Sequence, residues 1–242
     1  ADSPKPMLKV GNKPMLQHLV ERFVSQGFTN LYISTHYLAD KVRDHFGDGS
    51  RFGARLTYVH EEVPLGTGGA LGLLPNDLPP LPLLMINGDV LTNAPLNDLI
   101  DGFLQTNAVG SLLAVPPQDS FHVVQIDDDS HLTGIERVAD MNMRINGGYF
   151  VLRREIFDYL HPGDDLVTDT FVRAARAEKF QVVRFDGFWA PMDTLKERAA
   201  LEEMHRSGNR PWALWESAAG REFAPSQPLR TLPVATDSFD VA

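Results

Sequence analysis

The chain has 242 residues, 43% of them hydrophobic, with a formal net charge of -10 and no cysteine. Such a length suits one α/β domain with an ample core; the acidic balance, without any Lys/Arg run, excludes a nucleic-acid surface, and the missing thiols exclude disulfides and thiolate metal sites. No apolar stretch reaches the roughly 20 residues needed to span a bilayer, and Ala1-Asp2-Ser3-Pro4-Lys5 is no secretory signal, so a cytoplasmic protein without a membrane partner is expected.

In chain order, Pro14 opens a helix whose stripe is Leu16, Leu19, Val20, Phe23 and Val24, at the i, i+3, i+4, i+7 and i+8 spacing of a buried face, and Gly27 closes it. Leu31-Tyr32-Ile33 reads as a strand, Leu38 to Phe46 as a short helix ended by Gly47, and Arg55 to His60 as a second strand. A Gly-rich loop, Leu65-Gly66-Thr67-Gly68-Gly69, precedes a strand over 83–87, and Leu96, Leu99, Ile100, Phe103 and Leu104 repeat the helical stripe. This alternation predicts an α/β fold, a Rossmann-like, mainly parallel sheet with helices on both faces.

Beyond Val109 the pattern changes. Ser111 to Val115 is a strand, and Phe121 to Ile126 and Leu132 to Val138 flank the turn Asp127-Asp128-Asp129-Ser130, an inserted β-hairpin. Tyr149 to Leu152 and 181–185 follow as strands, with helices over 154–160 and 169–178. Thr194-Leu195-Lys196-Glu197 carries a capping-box pattern for a helix to about Met204. Residues 1–216 are thus expected to form the domain, and 217–242, with Pro225, Pro228 and Pro233, an extended or disordered tail.

Several residues carry candidate chemistry, each beside a plainer reading. Asp89, after the apolar run Pro82-Leu83-Leu84-Met85-Ile86, stands at the C-terminal mouth of a buried strand, where open α/β sheets bind ligands; it either caps a turn or holds a divalent ion. Asp193 precedes a helix that acids favour in any case, but Thr194 can supply that cap. Magnesium usually takes one or two carboxylates plus substrate phosphates, so two aspartates suffice for it. Gly66, Thr67 and Gly68 either let a backbone approach a phosphate or merely connect two elements, and the P-loop lysine is absent. Lys5 reads as a surface charge, Glu136-Arg137 as an exposed pair on the hairpin, and Asn146-Gly147-Gly148 as a bulge or a place of close ligand approach. Trp212 and Trp215 pack either on the domain or at an interface, which leaves a homo-oligomer open.

Taken together, Ser3-Pro4-Lys5-Pro6-Met7-Leu8, Gly11-Asn12-Lys13-Pro14-Met15, Leu65-Gly66-Thr67-Gly68-Gly69-Ala70 and Asn87-Gly88-Asp89 resemble the sugar-1-phosphate nucleotidyltransferase family. In the C-terminal half, Ile145-Asn146-Gly147-Gly148-Tyr149-Phe150-Val151, Gly187-Phe188-Trp189, Pro191-Met192-Asp193-Thr194 and Pro211-Trp212 are similar to glucose-1-phosphate cytidylyltransferases. The resemblance implies an enzyme that joins an NTP and a sugar 1-phosphate into an NDP-sugar with release of pyrophosphate, without a covalent enzyme intermediate. It further implies that Asp89 and Asp193 hold Mg²⁺, Lys5 neutralises the reacting phosphates, Gly66, Thr67, Gly68 and Gly88 line the nucleotide site, and Glu136, Arg137, Asn146 and Gly147 face the sugar phosphate.

This sequence departs from the family pattern in three places. The family's Gly-rich loop ending in Gly-Thr-Arg, with the strand before it, would precede Ser3 and does not occur in these residues, so an internal strand of the sheet is expected to be missing, the prolines of the tail making it a poor substitute. Arg137 stands where the family has lysine, and Phe121-His122 where it has Phe-Gly. Two other functions compete: a non-catalytic regulatory or assembly subunit, and a glycosyltransferase whose Asp-x-Asp acids would have to be Asp127-Asp128-Asp129.

Overall fold

The computed structural model describes residues 4–62, 66–75, 78, 82–118, 121–216 and 234–237. Leu65, Ser3 and the remainder of the tail lie outside these described residues. The strands are β1 (Lys9–Val10), β2 (Lys13–Pro14), β3 (Asn30–Thr35), β4 (Arg55–His60), β5 (Leu83–Asn87), β6 (Val90–Thr92), β7 (Gly110–Val115), β8 (His122–Ile126), β9 (Leu132–Arg137), β10 (Ile145–Leu152), β11 (Phe180–Arg184), β12 (Trp189–Pro191) and β13 (Val234–Asp237). The α-helices are α1 (Met15–Ser25), α2 (Ala39–Phe46), α3 (Gly66–Gly72), α4 (Leu96–Leu104), α5 (Val172–Arg176) and α6 (Leu195–Arg206).

Seven strands form the main sheet in the order β11-β7-β10-β5-β13-β3-β4. It is a mixed sheet: β10 runs antiparallel to both β5 and β7, and the other neighbours are parallel. The period-2 alternation of a strand buried on both faces explains how the layers close. Leu84, Ile86, Tyr149 and Val151 point into one core with Leu16, Leu19, Phe23, Leu99 and Phe103 of α1 and α4. Leu83, Met85, Phe150 and Leu152 point into the other, with Leu71 of α3, Leu166, Phe171 and Ala174. Helices therefore cover both faces, as the apolar stripes require.

The largest correction concerns the centre of the sheet. The position expected to be empty is filled from the C-terminal side: β13 lies between β3 and β5 and pairs parallel with both, Val234 to Leu31 and Leu84, Thr236 to Ile33 and Ile86. The prolines do not prevent this because Pro233 directly precedes the strand and the others lie further upstream, so no ladder position within 234–237 lacks its N–H.

Three smaller differences have local causes. Gly66 to Gly69 open helix α3 instead of forming a loop; Gly66 takes φ +66° in open space, a conformation glycine adopts without strain. The segment expected as a helix over 169–178 begins earlier as a wide π-turn, Leu166–Phe171, because Asp165 caps it by accepting from Val167 N and Thr168 N, and α5 continues it. The segment 154–160 is a 3₁₀ turn, Arg154–Tyr159. The hairpin β8–β9 stands as a separate two-stranded sheet whose Asp127 carboxylate accepts from Asp129 N and His131 N, so the acidic triplet is a turn. Trp212 is wholly buried and Trp215 packs against the same core, which settles both on the domain itself.

A strand paired on both sides should protect its amides. Hydrogen exchange of the full chain is expected to show protection across Val234–Asp237, and Ala235→Pro should abolish it and lower stability by about 1–3 kcal/mol, the cost of leaving a buried backbone partner unpaired. Free exchange at these amides in the unsubstituted chain would remove β13 from the sheet.

Candidate active site

Asp89 sits in the turn between β5 and β6, at the C-terminal edge of the sheet. What brings Asp193 to it is a three-residue antiparallel ladder. β12 pairs with β6, Pro191 opposite Val90 and Trp189 opposite Thr92, and Met192 N donates to Asp89 O at 2.9 Å. Side chains tie the same ladder down: Thr92 Oγ1 donates to Phe188 O at 2.6 Å, and Trp189 Nε1 donates to Gly147 O at 2.8 Å. Behind it, the fully buried Arg22 of α1 donates to Ala94 O, and Tyr149 OH donates to Val90 O at 3.1 Å.

Helix α6 starts immediately after Asp193 with the expected capping box. Thr194 Oγ1 accepts from Glu197 N at 3.2 Å, while Glu197 Oε2 accepts from Asp193 N and Thr194 N. Thr194 therefore does the capping, and the Asp193 carboxylate is turned to other use. It accepts from Lys5 Nζ at 2.7 Å, and the same ammonium lies 3.9 Å from Asp89 Oδ2. Lys5 is held there by a 3₁₀ turn between Pro4 and Leu8. Two acids and one lysine from distant parts of the chain thus converge at the mouth of the sheet.

The electrostatics of the pair are unequal. Burial, and then the charge of Asp193, push the Asp89 carboxyl up to about 6, against the pull of Lys5. A buried carboxylate that repels its neighbour gains from a divalent cation, and an oxygen-only donor pair suits a hard ion such as magnesium. The residues present therefore fit such an ion. Among the described residues no group of three or more His, Cys, Asp or Glu is placed to hold a metal.

The other candidate residues fall into two sets. Gly88 is buried beside Asp89 and lines an open cleft with Ser34, Thr35 and His36 at the end of β3. Gly66, Thr67 and Gly68 form the first turn of α3, and Gly68 backs directly onto the Asp164 carbonyl, where an added Cβ would lie 2.6 Å from that oxygen. Asn146 and Gly147 form a bulge in β10: Asn146 Oδ1 accepts from Gly148 N, and Gly148 has φ +68° with its Cα facing Asn87 so closely that a Cβ would lie 2.8 Å from that side chain. Glu136 and Arg137 are exposed on β9, Arg137 within 3.7 Å of Asp140, and neither makes a hydrogen bond or ion pair to the Lys5 group among the described residues.

Sequence reasoning missed Glu61. It follows β4, is 4% exposed, and accepts a hydrogen bond from Ser34 Oγ of the cleft. The available signal was the one used for Asp89, an acid directly after a strand and shortly before the glycine motif. Arg22 and Tyr149 were also missed, because nothing in the spacing shows this arginine to be buried and Tyr149 reads only as one residue of a strand.

In the metal-free chain the Asp89 carboxyl should titrate near 6 when its carbon resonance is followed by NMR. Asp193→Asn should lower that midpoint and Lys5→Met raise it. Because the folded chain holds this proton more tightly than the ordinary value of 3.8 allows, the contribution of Asp89 to stability falls as pH rises from about 4 to about 6. A midpoint near 4 in the unsubstituted chain would contradict the buried, charge-repelled environment.

A profile of the Nucleotidyl transferase family matches residues 1–202. The chain is 33% identical over 168 residues to mannose-1-phosphate guanylyltransferase of Mycobacterium tuberculosis, covering 68% of this chain and 47% of that protein. It is 25% identical over 238 residues to glucose-1-phosphate cytidylyltransferase of Salmonella typhi, covering 88% of this chain and 92% of that one. It thus spans about half the length of the first relative and nearly all of the second. The solved structure of HddC from Yersinia pseudotuberculosis complexed with GMP-PN shares the fold, with a TM-score of 0.65 at 23% identity over 85% of this chain and 91% of that one. Among the described residues no helix is long and apolar enough to cross a membrane. The family match over most of the chain places this protein in the nucleotidyl transferase family.

Proposed function

We propose that the chain transfers a nucleotidyl group from an NTP to a sugar 1-phosphate, giving an NDP-sugar and pyrophosphate. The observation that carries this reading is Lys5 held between Asp89 and Asp193 at the mouth of the sheet. An oxygen of the sugar phosphate bonds to the α-phosphorus as the bond to the β-phosphate oxygen breaks, and pyrophosphate departs. Such transfer depends on alignment and on charge neutralisation more than on covalent help from the protein. Asp89 and Asp193 would hold Mg²⁺, which when bound supplies charge neutralisation and orientation of the phosphate oxygens. Lys5, whose ammonium lies between the two carboxylates, would offer its charge to the reacting phosphates. Gly66, Thr67, Gly68 and Gly88 would border the nucleotide, and Glu136, Arg137, Asn146 and Gly147 the sugar phosphate.

For the base, the reading favours guanine over the cytosine suggested by the C-terminal motifs. A carboxylate only accepts hydrogen bonds, and guanine offers two adjacent donors, N1–H and the 2-amino group, where cytosine offers one. Glu61, buried and bonded to Ser34 Oγ of the cleft, would supply such a carboxylate by exchanging its present partners for the base, and the Mycobacterium tuberculosis relative is named for guanylyl transfer.

Pyrophosphate release over a panel of NTPs and sugar 1-phosphates should show turnover with GTP ahead of CTP, and Glu61→Gln should narrow that preference. Asp89→Asn and Asp193→Asn should each lower turnover by on the order of a hundredfold or more with the fold intact. Arg137→Ala should weaken use of the sugar 1-phosphate by about tenfold or more, the loss of one charge-assisted contact, and leave the NTP constant in place. Release of no pyrophosphate with any pair would defeat the reading as a whole.

A further inference from the structure

Gly68 is buried with its Cα against a loop that belongs to a different part of the chain. An added Cβ would lie 2.6 Å from the Asp164 carbonyl oxygen and 3.2 Å from Leu160 Cδ1. The first of these is backbone, which cannot rotate away. Whatever fixes residues 160–165 therefore fixes how far the first turn of α3 can sink toward the sheet.

That loop is bonded more densely than its surface location calls for. The Asp164 carboxylate accepts from His161 N at 2.8 Å, from Thr170 Oγ1 at 3.1 Å, from Arg173 Nη1 at 2.7 Å and, through its other oxygen, from Arg173 Nη2 at 3.3 Å. Arg173 Nη1 also donates to Tyr159 O, at the opposite end of the same loop. Thr170 is fully buried, and the Asp164 side chain is 12% exposed. The guanidinium and the backbone N–H together hold the Asp164 carboxyl well below the usual carboxylate range. A solvent-facing ion pair contributes little to stability, but a forked pair with both partners tied to backbone sets geometry.

The geometry points to Asp164 and Arg173 as positioning residues for nucleotide binding, acting through the Asp164 carbonyl on Gly68. Neither touches substrate; the pair holds the floor on which the glycine turn rests. The π-turn Leu166–Phe171 serves this arrangement, since it brings Thr170 and Arg173 onto one side toward Asp164. The inference rests on the reading that the Gly66 turn borders the nucleotide.

Calorimetric titration of the full chain with GTP and, separately, with a sugar 1-phosphate tests it. Arg173→Leu, which removes the fork, and Gly68→Ala, which pushes on the same contact from the other side, should each raise the Kd for GTP about tenfold and leave that for the sugar 1-phosphate unchanged. Arg173→Lys should restore part of the loss. Hydrogen exchange at the amides of Gly68 and Gly69 should quicken in Arg173→Leu, a readout that needs no ligand. An unchanged GTP constant in both variants, or an equal weakening for both ligands, overturns the positioning role even if melting temperature falls. A chain that binds neither ligand before substitution instead overturns the proposed function, and the inference falls with it.

Discussion

The hydrogen bond from Met192 N to Asp89 O, with the three-residue ladder behind it, is the contact on which the site depends. Asp89 lies in the turn after a strand of the central sheet, and Asp193 precedes the cap of a helix far along the chain. Neither element packs on the other across a broad face, so their relative position is set by backbone pairing of β6 with β12. Backbone bonds fix register to one residue, and a slip by one would turn the side chains of β12 to the other face and displace Asp193, two residues beyond its end. Burial of Asp89, and then the like charge of Asp193 beside it, raise its carboxyl above the ordinary value and cost free energy. The fold tolerates that cost because Lys5 stands between the acids and because the ladder is fastened on both sides.

The fastening on the core side is itself unusual. Arg22 is wholly buried on a face of α1 that also carries Met15, Leu16, His18, Leu19, Val20 and Phe23, and burial holds its guanidinium below its ordinary value. A leucine there would pack at lower cost. Arg22 instead reaches Ala94 O, just past the end of β6, while Tyr149, buried beside it, reaches Val90 O at the beginning of β6. The two polar groups thus hold both ends of the strand that follows Asp89. Apolar packing alone leaves freedom to slide along a short strand; directional bonds at each end remove it.

The same distinction explains what could be read from sequence. α1, α4 and α6 were legible because periodic stripes or a capping box specify them locally, and β4 and β5 because apolar runs bounded by turn residues do so too. β6 and β12 were not, since three residues carry no period and exist only through their pairing. Asp89 and Asp193 were found by their places after a strand and before a helix, and Lys5 only by resemblance. Their convergence was not in any one of those signals. Glu61 carries no signal beyond that of any acid following a strand, and Arg22 reads as a solvated charge until the structure shows it buried.

β13 shows the limit from the other direction. The resemblance predicted which strand was needed and where, and the prolines argued against the tail as its source. Pairing in the sheet asks less than that argument assumed. A central strand needs N–H groups only at the residues that enter the ladder, and Val234 to Thr236 supply them. The slot between β3 and β5 presents two facing rows of backbone donors and acceptors, and its demand is for an extended segment of the right length and direction more than for a particular sequence. Since Asp237 lies opposite Asn87, one residue before the Gly88-Asp89 turn, the strand that fills this slot also borders the approach to the site. Completion of the sheet and definition of the candidate site's edge thus fall on the same short strand.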